Sequence, residues 1–474
     1  MQIPYKVIAT CDLDKDAVLS YAAMRTNFEN EFNSYDFPSV EDMISELQNK
    51  NVGFDFMKNK HTITTRTSIN KLKQYYLADK LSKNLGDIGK IERLPYADMV
   101  TYSFPCTDLS VAGKGEGMQN KCSSCGHAWP IDFSNVEEIL ICPHCGEKVS
   151  SSTRSGLLGQ VQRLLSVAYK HNELPKYLLL ENVKNLVGKK FKSQFDAWVK
   201  WLDSIGYNTY YQVLNAKHYG LPQNRERIFA VSIRKDIDNG EFKFPEKNPL
   251  NIRLKDMLEK NVYERYYLPD DRIDKILNST FMQEKKRIQM KDVCDTLLAR
   301  DWKDPKCVQV EEEPFIVASR GRNPDNPSDR TTGAPTEQRL EPNFSGCTNT
   351  LTSVQKDNWV AEPIVCEERR DEGIRLFKDD CVGTLRTIDA CGDKRVIEPK
   401  PKWRIRKLTP KECWRLMGFS DYDHDKVTQY VSVSSLYKQA GNSICTCCLI
   451  AIFNALFLED YSTSYANKLV NYNS

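Results

Sequence analysis

The chain has 474 residues, of which 40% are hydrophobic and 28% are charged, with a formal net charge of +3. That length allows two or three domains, whereas so small a charge does not identify a nucleic-acid-binding protein by itself. The first residues lack the features of a signal peptide, and the apolar segment 444–458 is shorter than the about 20 residues that span a bilayer. We therefore expect a cytoplasmic protein without a membrane segment, in which sixteen cysteines indicate reduced thiols, metal ligands or catalysis.

The first predicted elements are a strand at residues 6–10 and an amphipathic helix after it. The predicted buried face of this helix consists of Ala17, Val18, Tyr21 and Met24. Asp12 lies between the two elements, where a carboxylate of a nucleotide-binding fold commonly accepts the ribose hydroxyls of a cofactor. A helix N-cap is an equally good interpretation of a single acidic residue at this position.

Cys106 lies just after a predicted buried strand at residues 97–102, in the stretch 103–110, which reads SFPCTDLS. Ligands bind at the carboxyl edge of the strands in an open α/β sheet. The Gly-rich segment 111–118 predicts a loop able to close over a substrate, although its GKGEG does not open a helix as a phosphate-binding loop does. Taken alone, such a cysteine is more often a buried core residue.

Four further cysteines have the spacing of a zinc site. Cys122 and Cys125 form one C-x2-C pair, Cys142 and Cys145 form a second, and sixteen residues separate the pairs. Four thiolates in two such knuckles hold a structural Zn2+ with tetrahedral geometry. We predict a zinc ribbon that folds with its metal and is inserted into the catalytic domain.

Helical and strand patterns alternate after this insertion. Amphipathic helices are predicted at 157–168 and 191–202, and strands at 177–180, 208–214 and 228–233. The alternation predicts a doubly wound parallel sheet. Its strand 177–180 would carry Glu181 and Asn182 to the same sheet edge as Cys106.

From about residue 235 this alternation is lost. The polar and Pro-rich stretch 319–346 is predicted to be irregular and functional, because it is too long for a simple connection. Three loosely similar segments begin near residues 293, 346 and 380. We interpret the cysteines at their starts as small core residues; these are Cys294, Cys347 and Cys381.

The segment 403–415, WRIRKLTPKECWR, is strongly basic. Arg404, Arg406 and Lys407 are candidates for phosphate contacts, with a solvated helix or strand face as the alternative. Thr409 is predicted to cap a helix that starts at Pro410. Gly441 and Asn442 then open the last apolar helix, which we expect to cover the sheet.

In this order, the motifs resemble those of the DNA cytosine-5 methyltransferases, most closely the members from bacteriophages and bacteria. The motifs are Pro105-Cys106 with Ser110, Glu181-Asn182-Val183, Gln223-x-Arg225-x-Arg227, LTPKECWRLMGF and Gly441-Asn442-Ser443. Each is weak alone, but together they span residues 105–444 in the order and spacing of that family.

The resemblance implies an α/β, Rossmann-like methyltransferase fold with an inserted zinc ribbon and a mostly β or irregular target-recognition domain. The implied catalytic domain comprises residues 1–118 and 151–236, the ribbon 119–150, the target-recognition domain 237–400 and a C-terminal return to the catalytic domain 401–474.

The implied activity is transfer of a methyl group from S-adenosylmethionine to carbon 5 of a flipped-out cytosine in double-stranded DNA, in restriction-modification or phage DNA protection. By resemblance, Cys106 is the nucleophile and Glu181 is the acid at ring nitrogen 3. Arg227 would bind the base carbonyl, and Arg225 would brace the catalytic loop or the phosphates. The implied cofactor-binding residues are Asp12, Leu13, Asp87, Pro105, Asn442 and Ser443.

The sequence departs from the family pattern at its N-terminal side. The Phe-x-Gly-x-Gly turn after the family's first strand is not found, so we expect that strand and turn to come from an upstream start or from a separate polypeptide. Leu13 stands where an aromatic residue often stacks on adenine, and Thr107 stands where Gln is frequent. These departures affect the cofactor contacts more than the nucleophile.

Two other functions compete with DNA methylation. An RNA cytosine methyltransferase would share the fold, but the long recognition region favours DNA, whose major groove is read by such a surface. A DNA-binding remnant without activity would keep the ribbon and the Arg-rich segment. Only an enzyme would be trapped covalently on 5-fluorocytosine DNA.

Overall fold

The computed structural model describes four long stretches of the chain and several shorter segments. The described residues are 3–55, 58–104, 119–122, 124–130, 133, 141–147, 157–266, 315–322, 337–343, 347, 359–362, 365–369, 373–377 and 404–458. Pro105, Cys106, Thr107 and Ser110 lie outside them, as do Cys294, Cys381 and the loop 111–118.

The helices lie at both ends of the chain and around the central sheet. They are α1 Lys15–Arg25, α2 Phe28–Ser34, α3 Val40–Asn49, α4 Ile69–Leu81, α5 Leu157–Lys170, α6 Lys192–Ser204, α7 Pro410–Leu416, α8 Asp421–Thr428, α9 Val433–Asn442 and α10 Thr446–Phe457.

Fourteen strands occur among the described residues. They are β1 Phe54–Asp55, β2 Lys60–His61, β3 Met99–Tyr102, β4 Gln119–Lys121, β5 Ala128–Pro130, β6 Tyr177–Val183, β7 Tyr207–Asn215, β8 Glu226–Arg234, β9 Phe315–Arg322, β10 Glu337–Asn343, β11 Trp359–Glu362, β12 Val365–Arg369, β13 Gly373–Phe377 and β14 Arg404–Lys407.

The central sheet has the order β3-β6-β8-β7. Strand β6 is parallel to β3, but β8 is antiparallel to both β6 and β7. The prediction of an entirely parallel sheet is therefore wrong for β8. The reason is the connection 216–225, which holds only the one-turn helix Ala216–Tyr219, whereas a parallel return needs a crossover of a dozen or more residues.

Helices cover both faces of this sheet, as in an α/β fold. Leu178 and Leu180 of β6 pack with α5 and α6, where Trp198 is fully buried. Leu179 points to the opposite face, because successive side chains of a strand alternate. It joins the larger core that contains α1, α3, α4 and the four C-terminal helices.

The N-terminal prediction is only partly correct. The expected strand at 6–10 is reduced, among the described residues, to a parallel bridge between Thr10 and Asn84. Helix α1 forms as expected, but its buried face differs from the predicted one. The buried residues of α1 are Val18, Leu19, Ser20, Ala22 and Ala23.

Strands occur within the stretch 315–377, as the expectation of a mostly β or irregular segment allows. Strands β9 and β10 pair antiparallel within 315–343, and the sheet order is β10-β9-β11-β14. The basic residues 404–407 form β14, which pairs with β11; their side chains are outside the described set. Cys347 is buried, as predicted.

Helix α7 contacts both the segment around Glu259 and the core around the central sheet. Thr409 and Glu412 form the predicted capping box of α7. The Glu412 carboxylate also accepts the backbone N–H of Glu259 at 2.8 Å. From the core side, the buried Gln223 donates to the Leu416 carbonyl at 2.7 Å.

The last apolar segment is two helices. The stretch Val433–Phe457 is long and apolar enough to cross a membrane. However, α9 ends at Asn442 and α10 begins at Thr446, so the helix predicted to open at Gly441 starts later. Cys447, Cys448, Ala451 and Ile452 of α10 are buried in the protein core, as in a core helix of a folded domain.

Candidate active site

Glu181 and Arg227 meet at the end of strand β6. Val183 is paired with Arg227 across the antiparallel strands β6 and β8, so Arg227 and Glu181 are diagonal neighbours on one face. The Arg227 Nε lies 3.3 Å from Glu181 Oε1, and both side chains are largely buried. The sequence predicted that these residues share a site, and the structure brings them together.

The environment of Glu181 favours its neutral form. Burial raises the pKa of this carboxyl above its ordinary value, while Arg225, Arg227 and a hydrogen bond from Ser103 oppose the shift. Desolvation penalises the charged form of a carboxylic acid, and nearby cations favour it. Because burial is the larger effect, Glu181 is available as a proton donor at a higher pH than an ordinary glutamate.

Asn182 fixes the backbone that leads toward Cys106. Its buried side-chain amide donates to the Phe104 carbonyl at 3.0 Å, and its Oδ1 accepts the Val183 N–H at 2.8 Å. Phe104 is two residues before Cys106, which itself lies outside the described residues. The backbone that precedes the predicted nucleophile is therefore anchored beside Glu181.

Arg225 joins the acid site to the end of α9. Its Nη2 donates to the carbonyls of Gly441 and Ser443 at 3.1 and 2.8 Å. Its backbone N–H donates to the Asn215 side chain at 3.1 Å. These contacts place a buried guanidinium between Glu181 and the Gly441-Asn442-Ser443 motif, which was predicted to contact the cofactor.

Asp12 does not cap α1, because Asp14 does. The Asp14 side chain accepts the N–H groups of Asp16 and Ala17, and Asp12 Oδ1 accepts the Asp14 N–H at 2.8 Å. Asn84 holds the Asp12 backbone, since its Oδ1 accepts the Asp12 N–H at 2.9 Å. Asp12 stays in contact with solvent, yet protein atoms surround it and this desolvation raises its pKa. Such an accessible carboxylate, whose backbone is held in place, can accept the hydroxyl groups of a ligand.

The other predicted cofactor residues differ in burial and in their hydrogen-bond partners. Asp87 is buried and accepts both the Gly89 N–H and the Asn51 side-chain amide, at 2.9 and 2.7 Å. Leu13 is half-buried and Asn442 is exposed. A hydroxyl-bearing cofactor thus fits Asp12 better than Asp87, whose two oxygens already have protein partners.

The four ribbon cysteines form two equivalent knuckles. In each, the N–H of the glycine after the second cysteine donates to the carbonyl of the first cysteine at 2.9 Å; the glycines are Gly126 and Gly146. Both glycines have a positive φ, near +75°. This turn needs glycine because side chains are strained in that conformation.

The cysteine geometry fits a tetrahedral metal ion. All four Sγ atoms lie within 4.8 Å of one another. Sγ atoms of Cys122 and Cys145 are 3.5 Å apart, and those of Cys125 and Cys142 are 3.7 Å apart. Four sulfurs at about 2.3 Å from Zn2+ would be about 3.8 Å from each other. The donor set and its spacing therefore suit zinc.

Several residues of the site were missed in the sequence. Ser103 supports Glu181, and Asn84 supports Asp12. Lys438 pairs with Asp14 although 424 positions separate them, and no local pattern reports such a contact. The sequence does show three aspartates within five residues, Asp12, Asp14 and Asp16. Because their charges repel each other, a nearby cation would be favourable.

Comparison with known families and proteins gives matches over most of the chain. The model of the family described as C-5 cytosine-specific DNA methylase matches residues 39–124 and 145–458. A type II methyltransferase of Lactococcus lactis subsp. cremoris is 30% identical over 457 residues, covering 96% of this chain and 93% of that protein.

Other proteins extend the same similarity. The orphan methyltransferase M.SPBetaI of Bacillus phage SPbeta is 31% identical over 432 residues, covering 84% of this chain and 90% of that protein. A solved structure, that of the Entamoeba histolytica methyltransferase EhMeth, aligns with 96% of this chain and over 98% of the EhMeth chain. The sequence identity is 14% and the TM-score is 0.38.

Proposed function

Since this chain belongs to the family of C-5 cytosine-specific DNA methylases and is a DNA cytosine-5 methyltransferase, we propose that it acts on a flipped-out cytosine through a covalent adduct with Cys106. The observation that carries this proposal is the buried Glu181 carboxyl beside Arg227, next to the backbone of Phe104. It places a carboxylic acid, Glu181, and a guanidinium, Arg227, beside the backbone that leads to Cys106.

Cys106 has the chemistry that cytosine requires. Carbon 5 of cytosine is a poor nucleophile until a group adds to carbon 6 and converts the ring to an enamine. A thiolate suits this step, because cysteine ionises near neutral pH and is intrinsically nucleophilic. In the proposed step the sulfur forms a bond to carbon 6, and the ring electrons move toward nitrogen 3.

Glu181 would protonate or hydrogen-bond nitrogen 3 as that negative charge develops. The Arg227 guanidinium would donate to the neighbouring base carbonyl. After carbon 5 has received the methyl group, a base removes the carbon 5 proton, the carbon–sulfur bond breaks, and Glu181 recovers the proton from nitrogen 3. The methyl donor would leave as the neutral thioether S-adenosylhomocysteine, the base would hold the carbon 5 proton, and Cys106 would again be a thiolate for another cycle.

S-adenosylmethionine supplies the methyl group as an electrophile when it is bound. We assign Asp12 to its ribose hydroxyls because this carboxylate is accessible and held in place by Asn84. We assign Leu13, Asp87, Pro105, Asn442 and Ser443 to the remainder of its binding site, from their positions in the family's motifs.

The target base must leave the DNA stack to reach these residues. The Gly-rich segment 111–118 follows Cys106 directly and is assigned to closing over the extruded base. Duplex DNA containing 5-fluorocytosine tests this mechanism, because fluorine at carbon 5 cannot leave as a proton does. We expect a covalent complex that forms only with S-adenosylmethionine present; a complex formed equally without it would contradict the mechanism.

Arg227→Met is expected to change the pH dependence of methyl transfer. Arg227 holds the pKa of Glu181 down, so its loss raises that pKa further. The protonated acid then persists to higher pH, and the alkaline limb of the kcat profile should move upward while kcat itself falls. Lys184→Met, which removes an exposed partner of Glu226, should leave the limb in place. If the alkaline limb of Arg227→Met stayed where it is in the wild type, protonation of Glu181 would not control the rate of methyl transfer.

For the four-cysteine cluster we propose a structural Zn2+ held by Cys122, Cys125, Cys142 and Cys145. The match in sulfur spacing supports this assignment. The family model leaves residues 125–144 unmatched, which supports a ribbon inserted at 119–150. Closed four-cysteine sites stabilise folding and leave no open position for chemistry.

The purified chain is expected to contain one zinc ion, to be measured by elemental mass spectrometry. Cys142→Ser should lose most of it, because one of four ligands is removed and the site folds with its metal. Cys11→Ser is the matched control, since Cys11 is a free cysteine far from the knuckles in sequence, and should retain the metal. Wild-type protein without zinc, or equal zinc in both variants, would refute the assignment.

We further propose that a separate polypeptide supplies a strand to the central sheet. Among the described strands, β3 pairs only with β6, so one edge of a parallel strand is open. An unpaired strand edge presents N–H and C=O groups with which another strand can pair. Val7 and Ile8 are also exposed, at 38% and 37%, before the single bridge at Thr10. Mixing the chain with a polypeptide carrying the family's first strand and Gly-rich turn should increase its methyl transfer; no change would refute this partner.

We assign residues 1–118, 151–236 and 401–474 to the catalytic domain and 237–400 to target recognition in duplex DNA. Strands β12 and β13 form a two-stranded antiparallel ribbon, an element that the major groove of DNA admits. The relatives named as type II and orphan phage methyltransferases support a role in restriction-modification or phage DNA protection. Such a role belongs in the cytoplasm of a bacterial or phage-infected cell.

A further inference from the structure

The start of α1 concentrates negative charge. Asp12, Asp14 and Asp16 alternate along five residues, and Asp14 is the N-cap. The partial positive charge of a helix N-terminus favours carboxylates, but three of them in one turn also repel each other. Each repulsion disfavours the ionised form of Asp12, which is the form that accepts two hydroxyl groups.

Helix α9 presents three side chains to this turn. Lys438 Nζ lies 2.5 Å from Asp14 Oδ2. Gln439 donates from Nε2 to the Asp16 carbonyl at 3.1 Å, and Ser435 donates from Oγ to Asp16 Oδ2 at 2.6 Å. Positions 435, 438 and 439 have the i, i+3, i+4 spacing of one helix face. Lys438 is the member of this face that brings a positive charge.

The C-terminal end of α9 belongs to the acid site. The carbonyls of Gly441 and Ser443 accept from Arg225, which also acts on Glu181. Gly441 is one helical turn after Lys438, about 4.5 Å along the axis of α9. One short, rigid element therefore links the turn that holds Asp12 to the arginine beside the predicted proton donor.

Resting on the proposed function, we infer that Lys438 is a positioning residue for the cofactor: its ammonium group pairs with Asp14 and so holds the first turn of α1, with Asp12 beside it, against α9. Lys438 does not itself touch the reacting atoms. It acts on the methyl donor through Asp12, so its effect belongs to cofactor affinity rather than to the chemical step.

The charges around Asp12 support this role. Burial raises the pKa of Asp12, and hydrogen bonds from the backbone N–H groups of Asp14 and Leu13 lower it. The negative charge of Asp14 raises this pKa, and the positive charge of Lys438 lowers it. Cys11 beside it has a pKa raised to about 12 by burial, Asp12 and Asp87, so its thiol stays neutral. The pair of Lys438 and Asp14 is half-exposed, and such pairs contribute little to folding. Its contribution is expected at the site instead.

The test is calorimetric binding of S-adenosylhomocysteine, the demethylated cofactor, to the wild type, Lys438→Met, Lys438→Arg and Lys235→Met. The last is the matched control, because Lys235 pairs with Asp203 at 2.7 Å at the end of the sheet. We expect Lys438→Met to bind roughly tenfold more weakly, as loss of one short-range charge predicts, with kcat at saturating cofactor within about twofold of the wild type. Lys438→Arg should restore most of the affinity, and Lys235→Met should match the wild type.

The pH dependence separates a charge effect from a packing effect. Binding weakens as pH falls through the pKa of Asp12, and this loss should begin at higher pH in Lys438→Met. Asp14→Asn keeps an N-cap residue but removes a negative charge. In this variant the loss of cofactor binding should therefore begin at lower pH than in the wild type. If Lys438→Met does not fold, Asp14→Asn alone tests whether charge near Asp12 controls the pH dependence of cofactor binding.

Equal affinity of Lys438→Met and the wild type would overturn the inference while leaving the proposed function intact, as would an Asp14→Asn profile that does not move. A wild type that binds no S-adenosylhomocysteine, with or without the added strand polypeptide, would instead overturn the cofactor assignment and the inference with it.

Discussion

Replacing Cys106 with serine is expected to abolish covalent trapping on 5-fluorocytosine DNA and to reduce methyl transfer by at least about 10³-fold. A serine hydroxyl is not ionised near neutral pH, so it does not add to carbon 6 as a thiolate does. The measurement is transfer of labelled methyl from S-adenosylmethionine to duplex DNA, with denaturing electrophoresis for the trapped complex.

The control for Cys106→Ser is equilibrium binding of the same duplex, which should be unchanged because serine and cysteine are similar in size. Loss of transfer with intact binding identifies a chemical role. If the serine variant still methylates DNA at a rate near that of the wild type, the proposed nucleophile is wrong, whatever its motif resembles.

Glu181→Gln is the second substitution with a large expected effect. Glutamine keeps the shape and can accept from Arg227, but it cannot give a proton to nitrogen 3 of the base. Since burial raises the pKa of Glu181 and so favours the proton donor, we expect methyl transfer to fall by about 10²–10⁴-fold.

Glu226→Gln is the matched control for that substitution. Glu226 lies one residue from Arg227 on β8 but is exposed and pairs with Lys184 at 2.9 Å. Its replacement should leave transfer within about twofold of the wild type, since exposed pairs contribute little. Comparable losses in the two variants would show that Glu181 acts through general charge or packing and not as a specific acid.

The parts of the site that depend on local sequence could be predicted. The apolar run before Glu181 placed this residue near the end of a strand. The spacing of the two C-x2-C pairs predicted that their four cysteines lie together, and their Sγ atoms do. Thr409 and Glu412 formed the expected capping box because capping depends on residues three apart.

Features that depend on distant residues could not be predicted. The predicted strands 208–214 and 228–233 leave residues 215–227 between them, which is long enough for a crossover, whereas the observed strands leave only 216–225. Periodicity does not distinguish parallel from antiparallel strands. The choice of Asp14 over Asp12 as the N-cap depends on how Asn84 holds the preceding backbone. The contact of Lys438 with Asp14 joins opposite ends of the chain.

The most direct test is to incubate the chain with S-adenosylmethionine and mixed-sequence duplex DNA, alone and with the polypeptide that supplies the additional strand, and to quantify 5-methyldeoxycytidine by mass spectrometry after digestion. We predict 5-methyldeoxycytidine in the duplex in at least one of these two mixtures, and no 5-methylcytidine in single-stranded RNA of the same sequence that is treated in the same way. Its absence from the duplex in both mixtures, or methylation confined to RNA, would contradict the assignment of this site to cytosine in DNA.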